Sequence, residues 1–394
     1  MKSFIILASL LCFSHDATSQ NVNFDQGTWE EVLQKAKAEN KYIMVDAFTT
    51  WCGPCKRMDA EKFHNNQEVA DFLNTNFISF KADCEKSPTA AMAIKFKVMS
   101  YPTLLFFNPQ GELISRSLGY TSNQKVFMEP FQKALAIKDK KVFAYDSKEL
   151  NPGFPPIYTD AFKVDGVNAK RHSAEEVLQY LDGQKDKFSE VNWAVLYLYS
   201  FPGRYEQFFI DNYEKYKTLY KTETADAVGK IANRHVNAAM NNKDEKELDA
   251  AMAMVQKYIP EQSDDLLPGW KINFYKSNGQ WVKYADAIDA ELANDPDVDV
   301  EYLNQFCWPV YEKCDDPAII KRALGWLDSR YAELKSYEVL DTYASLLYKG
   351  NRLEEAEQYA LKAIKQGEDD DRNVNDTKEL LVKIRSAKAG GSGK

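Results

Sequence analysis

Between Val22 and about Ala136 the apolar positions switch repeatedly between two spacings. In WEEVLQKAKAE, residues Trp29, Val32, Leu33 and Ala36 recur three or four apart, the spacing of one helix face, and Thr28 with Glu31 forms a capping box before them. YIMVDAF, starting at Tyr42, is β-branched and aromatic and too short for a buried helix, so it predicts a central strand. A helix is expected from about Pro54 to Leu73, kinked near His64-Asn65-Asn66-Gln67, followed by a strand in FISFKA and a short helix near Ala90 to Phe96. The apolar runs TLLFF and LISRSL predict two more strands, joined by NPQGE, whose Pro-x-Gly suits a tight hairpin. NQKVFMEPFQKALA then closes the unit as a helix. Strands that alternate with helices and end in a hairpin and a helix imply a mixed sheet covered on both faces.

From about 137 to 172 no period is sustained, and Asn151-Pro152-Gly153, Pro155-Pro156 and Asp165-Gly166 are turn formers. The same stretch carries Phe143, Tyr145, Phe154, Tyr158 and Phe162, which a free linker would hardly do, so it predicts an irregular connection packed on its neighbours. Beyond Ser173 the pattern is helical to the end. LDTYASLLYKGNRLEEAEQYALKAI sets Leu340, Tyr343 and Leu347 on one helix, Gly350 at the turn, and Ala356, Tyr359, Ala360 and Ala363 on the next. This resembles a tetratricopeptide repeat, in which small residues let paired helices approach. Gly279 precedes Ala285 by six residues as Gly350 precedes Ala356, and Ala323 falls near the midpoint of the two alanines, so weaker units are expected between them. The organisation expected is a leader at 1–19, an α/β unit at 20–138, a connection at 139–172, an α-helical domain at 173–386 and a flexible tail at 387–394.

The leader rests on Lys2, the apolar run Phe4 to Phe13 and the small residues Ala17-Thr18-Ser19. An apolar run of about ten residues is short of the roughly 20 that cross a bilayer, and no later stretch is long enough. A periplasmic or secreted protein with no integral membrane segment after cleavage is therefore expected. A formal charge of -9 supplies no basic face for phosphates, which argues against nucleic acid. After export Cys52, Cys55, Cys84, Cys307 and Cys314 remain, an odd count too sparse for a disulfide-stapled fold.

Cys52 and Cys55 stand in TTWCGPCK. Structural zinc wants four ligands, commonly two such pairs, and there is no second Cys-x-x-Cys, so no metal is expected. A purely structural bridge here would close a tiny loop and restrict the unfolded chain little. A reactive dithiol accounts for the neighbours. With a strand ending near Phe48 and a helix beginning near Pro54, Cys52 lies at a helix N-terminus, where unpaired amides and the dipole favour a thiolate. Cys55, one turn on, is placed to resolve a mixed disulfide. Asp46, on the apolar strand, is expensive to bury without a role and fits a base that takes the Cys55 proton. Cys84 ends the next strand, as a third thiol near the pair or an inert one. Cys307 and Cys314, about 10 Å apart on one helix, are beyond disulfide reach and fit core filling unless Pro309 breaks that helix. His64, His172 and His235 lack a motif. Trp193, Trp270, Trp281, Trp308 and Trp326 fit a helical core.

VDAFTTWCGPCK, with an Asp six positions before the first cysteine, resembles the active-site segment of the thioredoxin family, and VMSYPTLLFF supplies Pro102 in the context of that family's cis-proline. The resemblance covers about 22 to 138, including Gly119. It implies a thioredoxin fold followed by the helical-repeat domain, Cys52 as attacking and Cys55 as resolving thiol, and a substrate groove at Trp51, Gly53, Pro54, Tyr101 and Pro102. No cofactor is implied. The Gly-Pro insert is similar to that of reducing members, which implies protein disulfides as substrates and a membrane thiol as electron donor. A scaffold working through its helical repeats, or a disulfide isomerase or oxidase, are the other readings. The sequence departs from the family twice: Ser79 stands where a lysine is frequent, with Lys81 two residues on, and Tyr101 precedes the proline where a small aliphatic is usual.

Overall fold

Five strands form one mixed sheet in a computed structural model that describes residues 21–137, 146–295 and 298–391. The expected leader, Phe143 and Tyr145 lie outside the described residues. The strands are β1 (Phe24–Asp25), β2 (Tyr42–Phe48), β3 (Phe77–Asp83), β4 (Thr103–Phe107) and β5 (Leu113–Leu118), in the order β1-β3-β2-β4-β5. β2 and β3 run parallel in unbroken register from Tyr42↔Phe77 to Phe48↔Asp83, so their carboxyl ends open together at one edge. β4 is antiparallel to β2 and β5 to β4, and the connecting turn places Gly111 at φ 78, which favours glycine.

Helices α1 (Trp29–Glu39), α2 (Gly53–Met58), α3 (Gln67–Asn76), α4 (Ala90–Phe96) and α5 (Gln124–Ile137) cover this sheet. The period of two along β2 sends Ile43 and Val45 to one face and Met44 and Asp46 to the other. On Met44's face the core joins Met58 of α2, Leu73 of α3, Phe77, Phe106, and Phe127 and Phe131 of α5. On the opposite face Trp29 of α1 packs on Phe80 and Phe107, and Phe96 of α4 packs on Phe107. Thr28 caps α1 through the expected reciprocal box with Glu31. The helix expected from 54 to 73 is broken rather than kinked. A π-helix, Asp59–Phe63, follows α2, Asn65 takes a left-handed φ of 53, and the Asn66 side chain restarts the chain by capping α3. Two short polar residues that tolerate that backbone and cap helices make the break cheap.

The chain divides into two compact units, Met1–Ala227 and Val228–Lys394. In the first, the described aromatics of the connection pack together: Tyr158 lies between Phe154 and Phe162 and donates its hydroxyl to the Ile94 carbonyl at 2.5 Å. Helices Ala174–Gly183, Glu190–Leu198, Arg204–Asp211 and Tyr213–Tyr220 gather around buried Trp193, which contacts Phe201, Phe209, Tyr216 and Tyr220. Burying each such ring contributes roughly 1.5–3 kcal/mol. Beside Trp193, fully buried Glu223 accepts from the indole at 2.8 Å, from Lys97 at 3.1 Å and from Arg116 at 2.6 Å, tying the end of α4 and strand β5 to these helices.

In the second unit, helix pairs from Ser263–Ser277 to Asn375–Gly391 share one core. Tyr337–Lys349 and Leu353–Asp369 are the expected pair around Gly350, with Ala356, Ala360 and Ala363 buried between them. Pro309 sits inside Val300–Lys313 without ending it, and Cys307 and Cys314 are both buried free thiols. Trp193 and Trp326 are core residues, but Trp308, 37% exposed, is not. The last helix continues to Gly391, past the start of the expected tail, through the helix formers Ala387 and Ala389. No helix of the described residues is long and apolar enough to cross a membrane.

Candidate active site

Cys52 is the N-cap of α2, with Gly53 and Pro54 in its first turn. Proline there loses nothing, because the first amides of a helix have no internal acceptor. The Cys52 sulfur accepts one of those orphan amides, from Cys55, at 3.1 Å. The two cysteines form a disulfide, with Cα atoms 5.3 Å apart. An anion at Cys52 therefore meets the positive end of the helix dipole, while Lys56 and Arg57 stand in the last turn of the same short helix.

Both cysteines are largely buried, Cys52 at 3% and Cys55 at 5% exposure, yet they differ in what they face. A groove of about 360 Å³ is lined by Trp51, Cys52, Gly53, Pro54 and Tyr101 among the residues expected there, while Cys55, Pro102 and Asp46 are not in its lining. Trp51, 61% exposed, sets its ring edge-on to Tyr101 at 6.1 Å, so the active-site loop and the loop before β4 form facing walls. The Tyr101-Pro102 peptide bond is cis, and the Pro102 carbonyl accepts from Gly119 at 2.9 Å.

Asp46 lies on the face of β2 that α2 covers, at 2% exposure, and its Oδ1 has no hydrogen-bond partner. Burial pushes its pKa up, against the opposing charge of Lys81, to about 7. The cross-strand register answers the question of Lys81, since Asp46 pairs directly with it and the ammonium stands 4.0 Å from Oδ2. The same ammonium is hydrogen-bonded to Asp59 and lies over the rings of Phe24 and Phe48. Asp59 was not among the expected site residues. Its signal was present, because Asp59 follows Cys55 by four and so projects from the same helix face.

Cys84 is buried just past β3, its amide bonded to the Phe48 carbonyl and its thiol donating to the Ala82 carbonyl at 3.5 Å. Burial, with Asp46 and Asp83 nearby, pushes that thiol to about 12, which makes it inert at neutral pH. The described histidines form carboxylate pairs: His64 with Asp59, His172 with Asp160 and Glu176, and His235 with Glu247. Among the described residues no cluster of three His, Cys, Asp or Glu is arranged to hold a metal. Glu85, Ala161, Phe162 and Lys163 also line the groove and were missed. The last three come from the connection, about 110 residues beyond Cys52, where no local pattern points back to the dithiol.

Comparison with known proteins is consistent with this geometry. Residues 29–133 match the family of thioredoxin-like domains. The thiol:disulfide interchange protein DsbD of Pseudoalteromonas atlantica is 33% identical over 89 residues, 23% of this chain and 15% of that protein. The protein of the same name from Vibrio cholerae is 33% identical over 99 residues, 24% of this chain and 16% of that one. The chain thus spans about a sixth of the length of these relatives. Among solved structures, a candidate disulphide-isomerase from Bacteroides thetaiotaomicron is 35% identical and covers 30% of this chain and 97% of its own, with a TM-score of 0.28.

Proposed function

Residues 29–133 are a thioredoxin-like domain with an intact cysteine pair, and from that premise we propose that this protein is an exported thiol-disulfide oxidoreductase that reduces protein disulfides. The observation that carries the reading is the division of labour at the pair: Cys52 faces the groove from a helix N-cap, while Cys55 is out of the groove and Asp46 lies beneath the same helix with a pKa near neutrality. In the dithiol state the Cys52 thiolate attacks one sulfur of a substrate disulfide, the S–S bond breaks, and the leaving thiolate takes a proton. Asp46, as carboxylate, accepts the Cys55 proton, and the Cys55 thiolate then attacks the Cys52 sulfur of the mixed disulfide. The substrate leaves with two thiols, having gained two electrons, and the protein is left as the disulfide. A dithiol donor must return those two electrons, and for an exported protein it is a thiol at the membrane. Trp51, Gly53, Pro54 and Tyr101 line the groove where an extended substrate segment lies, and Pro102, next to Tyr101 in the chain, borders it. The helical repeats beyond Val228 hold the partner.

Wild-type protein is expected to reduce insulin disulfides and Cys52→Ser to lose that turnover, while Cys55→Ser accumulates the mixed disulfide. Equal turnover by Cys52→Ser and wild type would overturn the mechanism. A reduction potential of about -270 mV agrees with a reductant, and one of about -120 mV marks an oxidant instead. Export is tested by the mass of the mature chain, which should begin close to Gln20.

A further inference from the structure

The groove at Cys52 has a wall that lies outside residues 29–133. Ala161, Phe162 and Lys163 form it, on a strap that is fixed in place at several points. The Asp165 amide donates to the Glu85 carbonyl at 2.7 Å, and the Asp165 carboxylate accepts from the Ser87 amide at 3.0 Å and hydroxyl at 2.7 Å. The Lys170 amide donates to the Asp160 carbonyl at 2.6 Å, and Ala161 and Phe162 are buried. This is a built wall rather than a loose loop.

One carboxylate joins the wall to the active-site loop. Glu85 accepts from the Trp51 indole at 3.0 Å through one oxygen and pairs with Lys163 at 3.1 Å through the other. Among the described residues Glu85 and Lys163 are the only charged ones lining the groove, the rest being uncharged, as with Val98, Met99 and Tyr101. We propose that the strap at 161–163 is a specificity-determining wall of the substrate groove, and that it selects extended polypeptide segments whose residues beside the disulfide are uncharged. Each charge of the Glu85–Lys163 pair cancels the other's pull on a charged neighbour, while desolvating such a neighbour in an apolar groove is costly. This inference rests on the oxidoreductase reading above.

The test compares kcat/KM for three disulfide peptides that differ only in having neutral, acidic or basic residues beside the disulfide, with neutral 2-hydroxyethyl disulfide as a fourth substrate. Wild type should favour the neutral peptide. Lys163→Ala leaves Glu85 uncompensated and should lower the acidic-to-basic ratio about threefold or more, the size of a partly exposed charge interaction. Glu85→Gln keeps an acceptor for Trp51 but frees Lys163, and should move the ratio the other way. A changed Cys52 reactivity would alter all peptides alike, so the ratio isolates the wall. Ratios that stay at the wild-type value in both folded variants would overturn the inference. Wild-type protein that turns over none of the four substrates would instead overturn the oxidoreductase reading itself.

Discussion

Asp46 sets desolvation against the attraction of Lys81, and desolvation prevails, holding the proton to about pH 7 against an ordinary value of 3.8. The native state therefore binds more protons than the unfolded chain between those two values. Stability from this group is full below about pH 4 and is lost as pH rises through 7. A shift of that size corresponds to about 4 kcal/mol. Asp46→Asn is expected to flatten the dependence, so that urea midpoints at pH 4 and pH 8 differ much less than in wild type, with the variant the more stable at pH 8. Equal losses in both proteins would show that another group titrates. That Asp46 is buried was legible from a carboxylate in an apolar strand; its pairing with Lys81 needed the strand register, which no local spacing encodes.

Elements are joined by groups that a helix-by-helix reading passes over. Glu223 follows the helix Tyr213–Tyr220 and has no motif around it, yet its carboxylate meets Lys97, Arg116 and Trp193. Burial raises its pKa, but the two cations overcome that and hold it well below the usual range, at about 2. Its contribution is present above the ordinary 4.5 and fades as pH falls through 2. Glu223→Ala leaves two cations facing a void and should cost about 3–5 kcal/mol, read from urea unfolding followed by tryptophan fluorescence. Gly350 shows the reverse case, where the sequence marked the residue and the structure changed the reason. Its φ of -81 needs no glycine; the constraint is space, because a Cβ would stand 2.8 Å from Leu324 Cδ1 and 3.2 Å from the Leu346 carbonyl. Gly350→Ala is expected to cost about 1–3 kcal/mol in that unit, despite alanine's better helix propensity. A stabilised variant would mean that Leu324 moves aside freely.

Over the whole molecule, the two units differ in what the chain needs to fold them. The first extends to Ala227, so the helices from Ala174 onward complete the α/β unit and supply the Trp193 and Glu223 contacts to it. A chain spanning 20–227 should melt cooperatively and retain dithiol turnover. One ending at 138 loses the Glu223 carboxylate that Lys97 and Arg116 reach and should melt roughly 10 °C lower or more, by calorimetry. Equal melting temperatures would show that the sheet and its five helices are self-sufficient. What the sequence determined by itself was short-range: the alternation of strand and helix, the capping box at Thr28, the dithiol at a helix start and the paired helices around Gly350. Such features are set by residues within a few positions of one another, where period and side-chain chemistry act directly. Tertiary structure alone decided that Lys81 meets both Asp46 and Asp59, that Glu223 is buried among cations, and that residues 161–163 wall the groove at Cys52. Those contacts join segments tens of residues apart, and their adjacency exists only once the sheet has its register and the chain has closed over it.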